Sequence, residues 1–341
     1  MKTSEFDYYL PKDLIAQHPT KNRSESRMMA INITKNQIEH KTFSDVLDYL
    51  RPNDVLVLNN TKVIPARLFG IKDITNAHIE ILILKIEGNL CECLVKNAKA
   101  VKKDTKIIFN QELLYGICKE VREDGIRIIE MHSKKPLMDT LHLIGTIPLP
   151  PYIKEHEQDT SRYQTVYAKN EGSSAAPTAG LHFTKHLLEQ AQEMGIEIAY
   201  VTLHIGLGTF KPVEAESIFD HKMHTEYYEI SETNAKIISD AKHDGRRVVC
   251  VGTTSARVLE TVATNHGDVK ESSGYSDIFI YPGYQFKAVD ALITNFHLPK
   301  STLLMMISAF AGMELTRHAY LEAVEKHYRF FSFGDSMFLY R

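Results

Sequence analysis

Several features that would place this 341-residue chain in a familiar class are missing from its sequence. It contains no Walker pattern, no GxSxG elbow and no HExxH motif, and GLG at 206–208 lacks the third glycine of a dinucleotide fingerprint. Its net charge of −3 excludes a global positive field for nucleic acid, so any RNA contact must come from a local patch.

Cysteine is scarce, and the four present form no CxxC pair and no Cys/His cluster with zinc spacing. We therefore predict no metal site. Cys91 and Cys93 lie two residues apart in a strand-like segment, which puts both on one face of a strand. With Cys118 and Cys250, they are typical of buried thiols in a reducing compartment.

Long apolar segments are also missing. The longest run, LLMMISAFA at 303–311, is much shorter than a membrane span. The N-terminal MKTSEFDYYLPKD has no apolar core of the kind found in signal peptides. We therefore expect a cytoplasmic protein that does not contact a membrane.

Two patterns of predicted secondary structure alternate along the chain. Residues 65–147 consist of short β runs separated by turns, with one candidate helix at 135–145. Outside this stretch, strands such as DVLVL and RRVVCV lead through polar loops into helices, which predicts parallel strands with helical crossovers. The fold class is α/β, a barrel or an open sheet built from residues 1–64 and 148–341, with residues 65–147 as an inserted all-β domain.

The loops that follow these strands carry the unusual residues. Because the carboxyl ends of parallel strands gather on one face, we expect these loops to meet at one site. SSAAPTAGLHFT (173–184) has small side chains that let backbone approach a ligand, ahead of a helix that Thr184 can cap and Gly195 can end. GTTS (252–255) is either a capped turn or an anion contact. The candidate ligand-binding residues are Pro177, Thr178, Gly180, Gly206, Gly208, Thr209, Gly252, Thr253, Thr254, Ser255, Asn295 and His297.

The chain has sixteen histidines, and a single histidine is more often structural than catalytic. Those in or beside the glycine-rich loops are the better functional candidates: His182, His204, His224 and His297. The densest polar group is in DHKMHTEYYEI, where His221 and His224 precede Glu226. Periodicity does not decide whether this segment is a helix, a loop or a strand.

One segment of the insert, KNAKAVKKDTK (96–106), has five lysines against one aspartate. It is either a solvated surface or an electrostatic contact for a phosphate backbone. The candidate nucleic-acid-binding residues are Lys96, Lys99, Lys102, Lys103 and Lys106, together with Arg23 and Arg27.

Long segments of the chain resemble the S-adenosylmethionine:tRNA ribosyltransferase-isomerases of queuosine biosynthesis. The resemblance spans nearly the whole chain in the family's order, although the β insert matches only in its pattern of short strands and turns. It implies a barrel-like α/β domain interrupted by a β-barrel insert. The segments that carry it include FDYYLPKDLIAQHP, LNNTKVIPARL, YQTVYAKNEGSSAAPTAGLHFT, VTLHIGLGTFKPV, HKMHTEYYEI, VGTTSARVLET, YPGYQFKAVDALITNFHLPKSTLLMMISAFAG and YRFFSFGDSMF.

The resemblance also implies an activity. The family moves the ribosyl portion of S-adenosylmethionine onto 7-aminomethyl-7-deazaguanine at the tRNA wobble position. The sugar is rearranged to give epoxyqueuosine, and adenine and methionine are released. S-adenosylmethionine would thus be a consumed co-substrate, no cofactor would be bound permanently, and the enzyme would act on tRNA. The sequence does not give the oligomeric state, and we expect a monomer.

This chemistry needs a base that removes a C5′ proton acidified by the sulfonium and an acid that helps adenine to leave. Histidine and glutamate can supply both at neutral pH. We therefore expect the catalytic residues to come from His182, His204, His224 and Glu226. The glycines and hydroxyls of the loops would hold the methionine carboxylate or the ribose, with Arg257 as charge partner. The lysine-rich segment would contact tRNA.

Two other functions stay open at this point. An S-adenosylmethionine-dependent RNA methyltransferase would release S-adenosylhomocysteine, and it would have a glycine-rich first βα turn with an acidic partner, which the sequence lacks. A non-catalytic RNA-binding protein would use the β insert alone, and the polar loops of the α/β part would then have no purpose. Detection of free adenine distinguishes the ribosyltransferase from both.

Overall fold

A computed structural model of the protein describes residues 1–123, 125–153, 160–206 and 213–341. The chain forms two compact units, one of Met1–Lys62, Pro151–Asn170 and Ala176–Arg341, the other of Val63–Pro150 and Glu171–Ala175. Residues 171–175, which we expected in the α/β domain, belong to the second unit. The Ile64 amide donates to the Ser173 carbonyl at 3.0 Å, and the Ser174 hydroxyl donates to the Ile83 carbonyl at 3.3 Å.

The secondary structure of the described residues follows the predicted patterns of strands and helices. The strands are β1 (Arg27–Asn32), β2 (Gln37–Thr42), β3 (Val55–Asn59), β4 (Thr61–Val63), β5 (Arg67–Lys72), β6 (His78–Glu87), β7 (Leu90–Lys96), β8 (Lys106–Asn110), β9 (Leu114–Val121), β10 (Ile126–Ser133), β11 (Asn170–Ser173), β12 (Glu197–Leu203), β13 (Glu226–Ile230), β14 (Val248–Val251), β15 (Ser272–Ser276), β16 (Ala291–Asn295) and β17 (Ser336–Tyr340).

The α-helices are α1 (Leu137–Ile144), α2 (Lys185–Glu193), α3 (Glu232–His243), α4 (Gly252–His266), α5 (Thr302–Ala311) and α6 (Met313–Glu325). Short 3₁₀ helices are found at Thr3–Phe6, Lys12–Leu14, Arg23–Glu25, Phe43–Tyr49, Ala98–Ala100, Thr160–Tyr163, Thr178–His182 and Ile218–Asp220. No helix in the described part of the chain is both long enough and apolar enough to cross a membrane.

The first unit contains a sheet with the strand order β15-β13-β12-β3-β14-β16-β17-β1-β2, which has β15 and β2 at its two ends. The strands β12, β3, β14 and β16 are parallel, as are β17 and β1. The α/β class is confirmed. The expectation of parallel strands is confirmed for β3, β12, β14 and β16. It does not extend to the edges, where β2, β13 and β15 pair antiparallel, or to β17, which pairs antiparallel with β16. The turn at 33–36 between β1 and β2, for example, is too short for a crossover.

The central strands β3, β14 and β16 are buried along their whole lengths, since their sequences VLVLN, VVCV and ALITN are almost continuously apolar. Such runs are typical of parallel strands that are covered on both faces. Phe183 and Leu187, at the start of α2, pack in one core cluster with Leu56 and Leu58 of β3. The core therefore fixes the segment 176–187 against the carboxyl ends of the strands.

Two helix starts agree with the sequence. The Thr184 hydroxyl accepts a hydrogen bond from the Leu187 amide at 3.0 Å at the start of α2. The Ser301 hydroxyl accepts one from the Leu304 amide at 3.2 Å at the start of α5. Both are N-caps that stabilise the first turn of the helix.

Of the two interpretations of GTTS, a capped turn and an anion contact, the capped turn is not what the structure shows at the start of α4. Those four residues form the first turn of the helix, and Val251 at the N-cap gives no side-chain hydrogen bond. The Ser255 hydroxyl donates instead to the Val251 carbonyl at 2.8 Å. Gly252 has φ +86°, a conformation that glycine adopts without strain, and this lets β14 turn directly into the helix.

The second unit contains a closed antiparallel barrel in the order β10-β7-β6-β5-β8-β9, completed by pairing of β9 with β10. This confirms the inserted β barrel. Cys91 and Cys93 share its buried interior, as their spacing predicted, and burial raises the pKa of the Cys91 thiol to about 12. At neutral pH this thiol is therefore protonated and unreactive.

Candidate active site

A cleft in the first unit, with an empty volume of about 500 Å³, is formed where several loops meet. One part of its wall precedes α2, one is the first turn of α4, and one follows β16. The structure brings together seven of the predicted ligand-binding residues in this wall: Pro177, Thr178, Gly252, Thr253, Thr254, Asn295 and His297. Gly180, Gly206 and Ser255 are not part of this wall, and Gly208 and Thr209 fall outside the described residues.

The first turn of α4 gives the cleft an electropositive wall. The amides of an uncapped first turn have no intrahelical partners, and the helix dipole adds a positive partial charge there. The Thr254 hydroxyl is buried, with its residue 7% exposed, and has no hydrogen-bond partner among the residues described. This combination suits a carboxylate or another anionic group.

A chain of hydrogen bonds connects the cleft to His182, which is not itself in the wall. The Thr178 hydroxyl donates to Asn295 Oδ1 at 2.9 Å, and Asn295 Nδ2 lies 3.1 Å from His182 Nε2. Asn295 Nδ2 also donates to the Asp335 carbonyl at 3.4 Å, and a carbonyl can only accept, so the orientation of the amide is fixed. His182 Nε2 therefore accepts, and its proton lies on Nδ1, 2.7 Å from the Ser26 hydroxyl.

His182 is held in its neutral form. Its ring stacks on Phe43 with centroids 4.9 Å apart. Burial lowers the pKa of His182 to about 3, with a further contribution from the positive charges of Arg329 and Arg23. Both ring nitrogens of His182 are engaged, and its hydrogen-bond connection to the cleft runs through Asn295. This geometry favours a positioning role for His182 over direct proton transfer.

His297 is the histidine in the cleft wall, and it too is neutral. Its Nε2 lies 2.9 Å from the Thr294 hydroxyl, and its backbone amide donates to the Tyr320 hydroxyl at 3.1 Å. Burial lowers the pKa of His297 to about 3. It can therefore offer a hydrogen bond to a ligand, but it carries no charge at neutral pH.

Glu226 and Arg257 form a buried ion pair, with both side chains 3% exposed. The other carboxylate oxygen of Glu226 accepts from the Gly206 amide at 2.9 Å. Arg257 also donates to the Ser276 carbonyl at 3.5 Å. Because Glu226 already balances its charge, Arg257 is placed to anchor the end of β12 rather than to neutralise a ligand.

The other two histidine candidates are near this region but outside the cleft wall. His204 is half-buried, its Nδ1 lies 2.8 Å from the Thr61 hydroxyl, and its ring stacks on Tyr227. Burial lowers the pKa of His204, so its ring is neutral at pH 7. The next residue, Ile205, does line the cleft. His224 is exposed, two residues before β13.

Two of the small candidates have structural reasons to be where they are. A Cβ on Gly180 would overlap the Tyr167 hydroxyl, so this glycine permits close packing rather than the approach of a ligand. The Ser255 hydroxyl is committed to the backbone of its own helix. Among the described side chains, no group of three or more His, Cys, Asp or Glu is arranged to hold a metal ion.

The sequence reasoning missed Phe331 and Ser332, which line the cleft from the loop before β17. The amino-acid types in this loop do not mark it as part of a site, but the pairing of the strands does. Because β17 pairs antiparallel with β16, with Ser336 opposite Asn295, its entry loop lies at the same edge as the exit loop of β16. Only the strand direction, which the sequence left open, brings this loop to the site.

All five candidate lysines of the second unit are exposed. Lys96 pairs with Glu80 at 3.0 Å, and Lys106 pairs with Asp73 at 3.2 Å. Within the described part of the chain, no ion-pair partner is found for the remaining three: Lys99, Lys102 and Lys103.

In the first unit, the two candidate arginines have protein contacts of their own. The guanidinium of Arg27 lies 3.7 Å from the centroid of the Tyr328 ring and donates to the Lys326 carbonyl at 2.7 Å. Arg23 donates to the Leu181 carbonyl at 3.1 Å. Contacts within the protein therefore hold both arginine side chains in place.

Comparison with known proteins gives matches over almost the entire length. Residues 3–339 match the family described as queuosine biosynthesis protein. A protein of Macrococcus caseolyticus named S-adenosylmethionine:tRNA ribosyltransferase-isomerase is 53% identical over 340 residues, covering 100% of both chains. The crystal structure of an S-adenosylmethionine tRNA ribosyltransferase from Thermotoga maritima matches with a TM-score of 0.58 at 39% identity, covering 98% of this chain and 100% of that one.

Proposed function

Because the chain belongs to the queuosine biosynthesis protein family, we propose that it is an S-adenosylmethionine:tRNA ribosyltransferase-isomerase. The observation that carries this proposal is the 53% identity, over the full length of both chains, to a relative with that name. The methyltransferase and the non-catalytic RNA-binding protein are not favoured, because neither accounts for this match.

The reaction follows from this assignment. The enzyme transfers the ribosyl moiety of S-adenosylmethionine to the aminomethyl group of 7-aminomethyl-7-deazaguanine at the tRNA wobble position and isomerises it. The products are epoxyqueuosine-tRNA, adenine and methionine. S-adenosylmethionine is a consumed co-substrate, and tRNA is the acceptor.

The cleft of the first unit is the binding site for S-adenosylmethionine in this proposal. The uncapped first turn of α4 and the unpartnered Thr254 hydroxyl suit the methionine carboxylate. Since the Thr178 hydroxyl gives its proton to Asn295, its lone pairs are left to accept from a ligand O–H or N–H group. A ribose hydroxyl and the adenine amino group are both such donors.

Among the four acid/base candidates, His204 fits the role of base best. Its ring is neutral at pH 7, and its Nδ1 contact with Thr61 leaves Nε2 for a substrate proton. Ile205, the next residue, is in the cleft wall. Glu226 is committed to Arg257 and Gly206, so it acts by ordering this end of β12.

Product analysis tests the proposal. The purified protein, given S-adenosylmethionine and tRNA carrying the aminomethyl nucleoside, should release free adenine and methionine. His204→Ala should lower the rate of adenine release by roughly a hundredfold or more, the range for loss of a general base, while His243→Ala, on the exposed end of α3, should not. Formation of S-adenosylhomocysteine without adenine would establish the methyltransferase instead.

A further inference from the structure

A second pocket of the first unit shares Ser332 with the cleft and has an empty volume of about 270 Å³. Its wall includes Arg23 and Arg162. No carboxylate is found among the described residues that line it. The catalytic roles proposed above use neither arginine.

Arg162 is fixed in this wall without losing its charge. Its two terminal nitrogens donate to the carbonyls of Lys21, at 3.0 Å, and Thr20, at 2.8 Å. Its Nε is buried and has no hydrogen-bond partner within the described ranges. Neutral carbonyls hold a guanidinium in place but do not balance its positive charge. Arg23, the other arginine of this wall, donates to the Leu181 carbonyl at 3.1 Å.

The nearby carboxylate of Asp335 does not face the pocket as a free charge. It accepts from the backbone amides of Arg27, at 3.0 Å, and Arg329, at 2.8 Å, and it pairs with the Arg329 guanidinium at 3.4 Å. His182 lies in the pocket wall, and the positive charges of Arg329 and Arg23 add to burial in lowering its pKa. The cationic residues that a group in this pocket meets are therefore Arg23 and Arg162.

We propose that this pocket binds a phosphate group of the RNA backbone while the reacting nucleoside occupies the adjacent cleft. The inference rests on the proposed function, because it requires an RNA substrate. Fixed guanidinium groups are suited to phosphate oxygens. Phosphate contacts set the position of a nucleic acid without reading its sequence, and the shared wall at Ser332 puts this contact beside the cleft.

The salt dependence of tRNA affinity tests the proposal. Arg162→Gln should weaken binding and should reduce the slope of log K against log salt by about 0.7 to 0.9, the effect of one phosphate contact. Arg162→Lys, which keeps the charge, should retain most of the slope. The matched control is Arg246→Gln, which removes the same charge from an ion pair with Glu197 and should leave the slope unchanged.

A second measurement uses the wild-type protein and does not depend on how the variants fold. With histidine labelled at Cε1, inorganic phosphate should shift the NMR signal of His182 in the pocket wall. The signal of His297, which lines only the cleft, should stay in place.

Each outcome is decisive. An unchanged slope for Arg162→Gln together with a phosphate-induced shift at His182 would mean that the pocket holds a free anion, and the RNA assignment would be overturned. An unchanged slope with no shift would overturn the site itself. In both cases wild-type protein would still release adenine, whereas a wild type that releases none would overturn the proposed function instead.

Discussion

The imidazole of His182 illustrates how a residue can matter to a reaction without exchanging a proton in it. Burial and two arginines lower its pKa to about 3, so it stays neutral at and well below physiological pH. Its Nε2 accepts from the Asn295 amide and supports the orientation that the Asp335 carbonyl fixes, and Asn295 Oδ1 in turn accepts from the Thr178 hydroxyl.

We therefore expect His182→Ala to lower the rate of adenine release by roughly tenfold to a hundredfold, as is common when a supporting hydrogen bond is removed. The shape of the pH–rate profile between pH 5 and 8 should not change, because a group with a pKa of about 3 does not titrate there. His204 is the proposed base, and burial lowers its pKa, so its replacement should remove the limb of the profile on which that base becomes protonated. Loss of that limb in His182→Ala would contradict the positioning role.

The helix α4 carries the clearest functional feature at the level of a single element, and it also shows where the sequence was insufficient. A helix after β14 was predicted, but GTTS was assigned to the polar loop before it rather than to its first turn. Thr254 and Ser255 are common N-cap residues, and only the positive φ of Gly252 moves them into the first turn. Local propensity therefore predicted the element, and backbone geometry decided what its first residues do.

If the first turn of α4 holds the methionine carboxylate, Thr254→Val should weaken S-adenosylmethionine binding by roughly tenfold or more, the usual cost of a hydrogen bond to a charged group. The ligand supplies the control. Decarboxylated S-adenosylmethionine lacks the carboxylate, so it should bind wild type and the variant with similar affinity. Equal weakening of both ligands in calorimetric titrations would place the carboxylate elsewhere.

For the whole molecule, the sequence patterns predicted the α/β class, the all-β insert and most of the strands, because buried apolar runs and turn residues determine these locally. The closure of the insert into a barrel was implied by the family resemblance. The patterns did not predict the antiparallel edges of the sheet or the membership of residues 171–175 in the second unit. Both depend on pairing between segments that are distant in sequence. The same limit explains why Phe331 and Ser332 were missed while the loop after β16 was not.

The last prediction concerns tRNA affinity as a property of the full chain. The three exposed lysines without ion-pair partners in the described structure, Lys99, Lys102 and Lys103, add positive charge to a protein whose net charge is −3. Their joint replacement by glutamine should reduce the slope of log K for tRNA against log salt. The expected reduction is up to about 0.7 to 0.9 for each phosphate that a lysine no longer neutralises. Adenine release at saturating tRNA should be preserved, because none of the three lies in the cleft wall.

The control is a triple glutamine variant that removes the same charge from exposed lysines of the first unit. It separates a local effect from the effect of net charge, and the residues are Lys12, Lys35 and Lys270. If both triple variants change the slope equally, the lysine-rich segment contributes only to net charge, and the solvated-surface interpretation is the correct one.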